Sequence, residues 1–109
     1  IRIINSFAYF LRKFIVNSSI DFAIKESLRY VIISTQYANA FMGNYPIATK
    51  DSISLFEKNF SEFSYSTIPK KFFRIKIGDE KIIEKESILK EGLEFLENLD
   101  EYLFKKFSL

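Results

Sequence analysis

A short basic segment near residue 70 carries the residue types best suited to contact with a charged partner. Four cations fall within seven positions, with the ring of Phe72 among them, and the candidate contacts are Lys70, Lys71, Phe72, Arg74 and Lys76. Lysine and arginine neutralise phosphates and an aromatic ring stacks on a base, and this combination binds single-stranded nucleic acid. Each neutralised phosphate releases counterions, so such binding weakens as salt is added. The segment therefore predicts contact with a nucleic-acid backbone.

Two other interpretations fit the same segment. Lysines on an exposed edge strand protect a protein against aggregation, and a basic surface equally suits an acidic protein partner. A second group of cations lies on the first two predicted helices and is a further candidate for nucleic-acid contact: Arg12, Lys13, Lys25 and Arg29. All three interpretations remain open on the sequence alone.

Residue types that support catalysis are scarce. The chain of 109 residues contains no histidine, the usual general base at neutral pH, and no cysteine. Without either residue it lacks the ordinary ligands of zinc. Five acidic residues have the spacing of a helix's polar face, so we expect them in solvent and not around a cation: Glu91, Glu94, Glu97, Asp100 and Glu101. We predict a protein that is not an enzyme and that holds no metal or cofactor.

The spacing of apolar residues predicts a mainly α fold in a single domain, residues 1–109. Four helices are expected, over about 3–16, 20–42, 49–63 and 87–107. Residues 30–35 are β-branched and aromatic and resemble a strand, yet the apolar row through them keeps helical spacing. Within helical patterns, Asn39 is expected either to serve helix packing or to face solvent, and Gly92 indicates a close crossing with a neighbouring helix.

The segment between the third and fourth predicted helices has a different period. From Phe72 the apolar residues alternate with polar ones, and Gly78-Asp79 is typical of a hairpin turn. We therefore predict a small β-hairpin over about 71–84, inserted before the C-terminal helix. On a strand, alternate side chains share a face, so the residues expected to point outward are Lys70, Phe72, Arg74 and Lys76.

Charge is unevenly distributed along the chain. Residues 1–76 carry a net charge of +6, and residues 77–109 carry −4. This asymmetry indicates either a basic binding surface or attraction between the two parts within the fold.

No apolar run approaches the roughly 18 residues of a membrane-spanning helix. The first helix has an apolar face beside Arg2, Arg12 and Lys13, as interfacial helices do, but the core requires that face. We predict no membrane association and, since cysteine is absent, a cytoplasmic location. The chain begins at Ile1, so a signal peptide cannot be assessed from it.

The order of elements resembles that of the small subunits of archaeal type I-A CRISPR surveillance complexes. The matching features are the helical stretch 37–41, the basic segment 70–76 and the amphipathic closing helix. The resemblance implies a non-catalytic subunit of an antiviral nucleoprotein complex, which packs against other protein subunits. It also implies contact with single-stranded DNA or RNA by charge, without sequence readout. The competing hypothesis is a helical scaffold or self-assembling domain that binds only proteins.

Overall fold

In a computed structural model the described residues are 2–44 and 48–107, and they form five helices. These are α1 (Ile3–Asn17), α2 (Ile20–Phe41), α3 (Thr49–Asn59), α4 (Ile68–Lys76) and α5 (Lys85–Phe107). The prediction of a mainly α fold is confirmed. The predicted β-hairpin over 71–84 is wrong, because no strand is present among these residues and most of its first half is helical.

The helix α4 stands where the first strand was predicted. The prediction failed because the residues of this segment fit two periods at once. Read in steps of two, the segment alternates; read in helical steps, Ile68, Phe72 and Ile75 form one apolar face that packs on the core. Pro69 lies in the first turn, where proline is tolerated in a helix. The buried side of α4 is therefore centred on Phe72, which the hairpin prediction had placed outward.

Gly78 ends α4 and does not form a hairpin turn. Its φ of 86° is the left-handed conformation that a glycine supplies after a helix C-cap. Its N–H donates to the carbonyl oxygen of Ile75 at 3.2 Å, and the N–H of Asp79 donates to that of Arg74 at 2.9 Å. The positive φ required by a tight turn is also the signature of a helix end, so the local sequence signal fits both structures.

The helix α2 is the centre of the fold, and the other four helices all pack against it. The β-branched residues 30–35 are helical, as the apolar row predicts. At its start, Ser19 Oγ accepts a hydrogen bond from the Phe22 N–H at 3.2 Å, which is an N-cap. The largest fully buried side chains are aromatic: Phe56, Phe60, Phe72 and Phe95.

A buried polar network joins α2 to α3. The Asn39 Nδ2 donates to the backbone oxygen of Ser52 at 3.0 Å, and the Asn59 Nδ2 donates to Asn39 Oδ1 at 3.3 Å. Thr35 Oγ1 lies 3.3 Å from Ser52 Oγ. Of the two roles open for Asn39 on the sequence, helix packing is the one observed, and the network helps to set the register between the two helices.

Gly92 marks a close crossing between α5, α2 and α4. A Cβ placed on Gly92 would overlap Ser27 Oγ and would lie 3.3 Å from Phe72 Cε2. The Ser27 hydroxyl is fully buried and has no hydrogen-bond partner among the described residues. The side chains of Ser27 and Phe72 can lie this close to α5 because glycine has no side chain, which confirms the prediction of a close crossing at this position.

Candidate binding sites

The basic residues of α4 are divided between solvent and the protein itself. Lys70, Arg74 and Lys76 are exposed, and Arg74 Nε also lies 4.0 Å from Glu80 Oε1. Lys71 Nζ donates to Glu91 Oε1 of α5 at 2.8 Å, so its charge is partly used within the fold. Phe72 is fully buried, so the expectation of an outward-facing Phe72 is wrong and its ring cannot stack on a base.

The second predicted basic group is also partly neutralised. Arg12 pairs with Glu97 of α5 at 2.9 Å, and Arg29 pairs with Glu26 one turn earlier on α2 at 2.6 Å. The hydrogen bond from Arg29 to Glu26 raises the pKa of that guanidinium. Lys13 lies over the ring of Tyr9, 5.0 Å from its centroid, and Lys25 is exposed.

Ion pairs between residues 1–76 and residues 77–109 therefore account for part of the charge asymmetry of the sequence. Arg2, Arg12 and Lys71 each form an ion pair with an acidic residue of α5. These pairs connect α1 and α4 to α5, the C-terminal helix. Part of the basic excess of residues 1–76 is thus balanced inside the fold and does not face a partner.

An apolar cavity lies at the end of the bundle where α1 begins and where α2 and α5 end. It has a volume of about 550 Å³. Ile4 and Leu103, which are buried, form part of its lining. Three aromatic walls, Tyr37, Phe41 and Phe104, keep 40%, 43% and 42% of their surface exposed. Among residues 2–44 and 48–107, these side chains border an apolar pocket that is open to solvent.

The pocket has one charged corner, formed by Arg2 and Asp100. The Arg2 Nη2 donates to Asp100 Oδ2, and the guanidinium carbon lies 5.0 Å from the centroid of the Phe104 ring. Asp100 is only 9% exposed, whereas half of the Arg2 side chain is accessible. The hydrogen bond and the negative charge of Asp100 raise the pKa of Arg2, so the guanidinium stays charged at ordinary pH.

Sequence reasoning missed this corner. Asp100 was expected in solvent with the other acidic residues of the helix, but it is buried beside the apolar stripe. A signal was present: Asp100 lies four residues after Leu96 and three before Leu103, which places it on the same side of the helix as both leucines. A carboxylate at such a position requires a cation, and Arg2, distant in sequence, supplies it.

The acidic residues do not suggest a metal centre. Among the residues that the structure describes, no three acidic side chains converge in a group that could hold a metal ion. Within the same residues, no helix combines the length and the apolar character needed to span a membrane.

Comparison with known proteins adds no relative. A scan of protein-family models, a search of curated proteins and a search of solved structures each gave no match to this chain. The resemblance to CRISPR small subunits therefore stays a prediction. The fold places the chain among all-helical domains over the residues described, and the case for its function depends on the geometry of its own surface.

Proposed function

We propose that this chain is a non-catalytic binding domain that takes the apolar part of a ligand into the pocket between α1, α2 and α5. The observation that carries the proposal is the 550 Å³ cavity with three half-exposed aromatic walls. Small-molecule sites are typically clefts of roughly 300–1,000 Å³, apolar over most of their surface, with a few polar groups that orient the ligand. The pocket has this composition, with Arg2 and Asp100 as its polar groups.

The exposed rings provide the free energy for binding. Tyr37, Phe41 and Phe104 leave apolar surface in water around a concave site. A ligand that covers these rings removes that surface from water, and the gain is proportional to the area removed. Elsewhere the surface also carries exposed aromatic residues, such as Phe10, but Phe10 does not line this cavity. The concave setting distinguishes the three pocket rings from other exposed rings.

The proposal is tested by following backbone amide chemical shifts of the full chain by NMR while octanol is added. We expect shifts at amides around Tyr37, Phe41 and Phe104. The variant Phe104→Ala should weaken binding by about tenfold, because one apolar wall is removed. The matched control is Phe10→Ala, which truncates a ring that is 46% exposed on α1 but lies outside the pocket.

Three results would contradict the pocket proposal. One is the absence of shifts at the pocket amides at millimolar octanol. Another is an equal loss of affinity in Phe104→Ala and Phe10→Ala, which would mean that exposed rings bind the probe without regard to the cavity. The third is unchanged affinity in Phe104→Ala.

We also propose a second candidate function, the contact with a nucleic-acid backbone within a nucleoprotein complex. The observation that favours it is the exposure of Lys70, Arg74 and Lys76 on one short helix. Lys70 and Arg74 are four residues apart, so they project from the same side of α4 about one turn from each other. Without an exposed ring from Phe72, such binding would depend on charge alone and would not read sequence.

Fluorescence anisotropy with labelled single-stranded DNA and RNA at two salt concentrations tests this second function. If three phosphates are neutralised, the slope of log affinity against log salt should be about −2. The triple variant K70A/R74A/K76A should flatten that slope and weaken binding at low salt by at least about tenfold.

The control K50A/K58A/K90A removes the same number of charges from exposed lysines on α3 and α5. It should retain most of the affinity. Equal losses in the two triple variants would show only a response to net charge and would contradict a site on α4. No binding at low salt by the unsubstituted chain would remove this function and would favour the scaffold hypothesis.

A further inference from the structure

We infer that the ligand of the pocket is a free alkyl carboxylate, which places its chain against Tyr37, Phe41 and Phe104 and its carboxylate on Arg2. This inference rests on the proposed pocket function and adds the chemical class of the ligand. It follows from the different accessibility of the two charges at the pocket's corner and from the donors that Arg2 still has available.

The accessible charge of the corner is positive. Asp100 is buried beneath the guanidinium, whereas about half of the Arg2 side chain faces solvent. A head group that arrives at the mouth of the pocket therefore meets Arg2 before Asp100. An ammonium head would be repelled by Arg2 and would have to displace it from Asp100. A carboxylate head would be attracted without disturbing the existing pair.

Arg2 has capacity for a second carboxylate. A guanidinium carries five N–H donors, and within the described residues one nitrogen, Nη2, donates to Asp100. The planar group can thus be shared between Asp100 and a ligand. The neighbouring acidic residue Glu101 pairs with Lys105 at 3.0 Å and adds to the negative charge near Arg2, but among the described residues it accepts no hydrogen bond from the guanidinium.

Arg2 is also held in place before a ligand arrives. The hydrogen bond to Asp100 fixes one edge of the guanidinium, and the ring of Phe104 lies against its face. An oriented guanidinium loses less side-chain entropy on binding than a free one. The same Phe104 ring lines the cavity, so the charged corner and the apolar wall adjoin each other. An amphiphile with one chain and one carboxylate matches this arrangement.

The test is a titration of the full chain with three probes that share one alkyl chain: octanoate, octanol and octylamine. Amide chemical shifts at the pocket report binding of each. We expect octanoate to bind about fivefold more tightly than octanol at low salt, which is the upper range for a solvent-accessible ion pair. The preference should narrow as salt is added, and octylamine should bind most weakly. Lengthening the carboxylate chain should tighten binding by about fourfold for each buried methylene.

A double variant isolates the head-group contact. Removing Arg2 alone would leave the Asp100 carboxylate buried and unpaired, which destabilises the fold. R2Q/D100N replaces the ion pair by two neutral side chains, so that no buried charge is left unpaired. We expect it to lose the preference for octanoate over octanol, measured as the ratio of the two affinities in the same variant. The matched control is R12Q/E97Q, which neutralises another ion pair between α1 and α5, at 2.9 Å and outside the pocket. It should keep the preference.

The outcomes distinguish failure of the pocket function from failure of the carboxylate inference. If none of the three probes shifts the pocket amides, the pocket function itself is wrong. If octanol binds but octanoate binds no more tightly, or if R2Q/D100N keeps the preference, only the carboxylate inference is overturned. Binding to anionic phospholipid vesicles without binding of monomeric octanoate would also overturn it, and would indicate a membrane surface as the partner.

Discussion

Two regions of this molecule use the helices α2 and α5 in opposite ways. At Gly92, α5 crosses α2 and α4 so closely that a single added carbon would overlap Ser27, and Phe72 fills the remaining space. About three turns further along α5, near Leu103, helices α1, α2 and α5 leave a cavity of about 550 Å³. The comparison shows that an amphipathic stripe specifies which side of a helix is buried but not how closely its neighbour approaches. The side chain at the crossing point decides that distance.

The largest expected effect comes from truncating a ring in the closed region. Phe72→Ala removes a fully buried ring and leaves a cavity, so it should lower the free energy of unfolding by about 3–5 kcal/mol. Phe104→Ala removes a ring that borders the open pocket and should cost less than about 1 kcal/mol. Urea denaturation measures both. Similar losses in the two variants would break the distinction between a closed and an open region.

A smaller effect is expected from adding one carbon to the closed region. Gly92→Ala should lower the free energy of unfolding by about 1–3 kcal/mol through overpacking, although alanine favours the helix by about 1 kcal/mol over glycine. The double variant S27A/G92A removes the overlapping Oγ and should recover most of the loss.

The control for this cycle is Ser27→Ala, which removes a buried hydroxyl that has no partner among the described residues. It should change stability little, because no hydrogen bond is lost. Thermal unfolding of all four proteins gives the coupling between the two positions. A Gly92→Ala protein as stable as the unsubstituted chain would show that the three helices are not in close contact at this point.

The smallest effect concerns the alkaline limit of stability. Tyr30, stacked on Phe7 with 4.8 Å between ring centroids, is buried, and burial raises the pKa of its hydroxyl, with a further contribution from Glu26. The folded state therefore holds this proton more tightly than the unfolded state does. The corresponding stability is complete below the unfolded pKa of about 10 and is lost as pH rises through the folded value.

The variant Tyr30→Phe has no proton to lose at this position. Above pH 10 its free energy of unfolding should fall less steeply than that of the unsubstituted chain, as measured by urea denaturation at a series of pH values. Equal slopes would mean that the Tyr30 hydroxyl is as well solvated in the folded state as in the unfolded one.

The sequence was sufficient to predict most of the fold. Long apolar rows identify α1, α2 and α5, and in α2 the helical row prevails over the β-branched residues 30–35. The error lies at α4, where nine residues are compatible with both periods. Such a short segment does not determine its own conformation, because a few residues contribute little intrinsic preference and the burial of one ring, Phe72, outweighs it.

The candidate sites were less predictable than the fold. The exposure of Lys70, Arg74 and Lys76 was expected, and it holds on a helix as it would have on a strand. The pocket was not foreseen, since it forms where the ends of three helices distant in sequence diverge. Its charged corner joins Arg2 to Asp100, which are 98 positions apart, and no local pattern relates two such residues.

The amino-acid sequence by itself determined the helical class, the broad limits of the long helices, the scarcity of catalytic residue types and the need for a close crossing at Gly92. These are local properties: they depend on the spacing of apolar residues and on the side chain at one position. Only the tertiary structure decided that Phe72 is core, that much of the basic excess is paired with α5, and that Arg2 and Asp100 meet at an open apolar pocket. Those outcomes depend on distances between helices, which are set by how all the side chains pack at once.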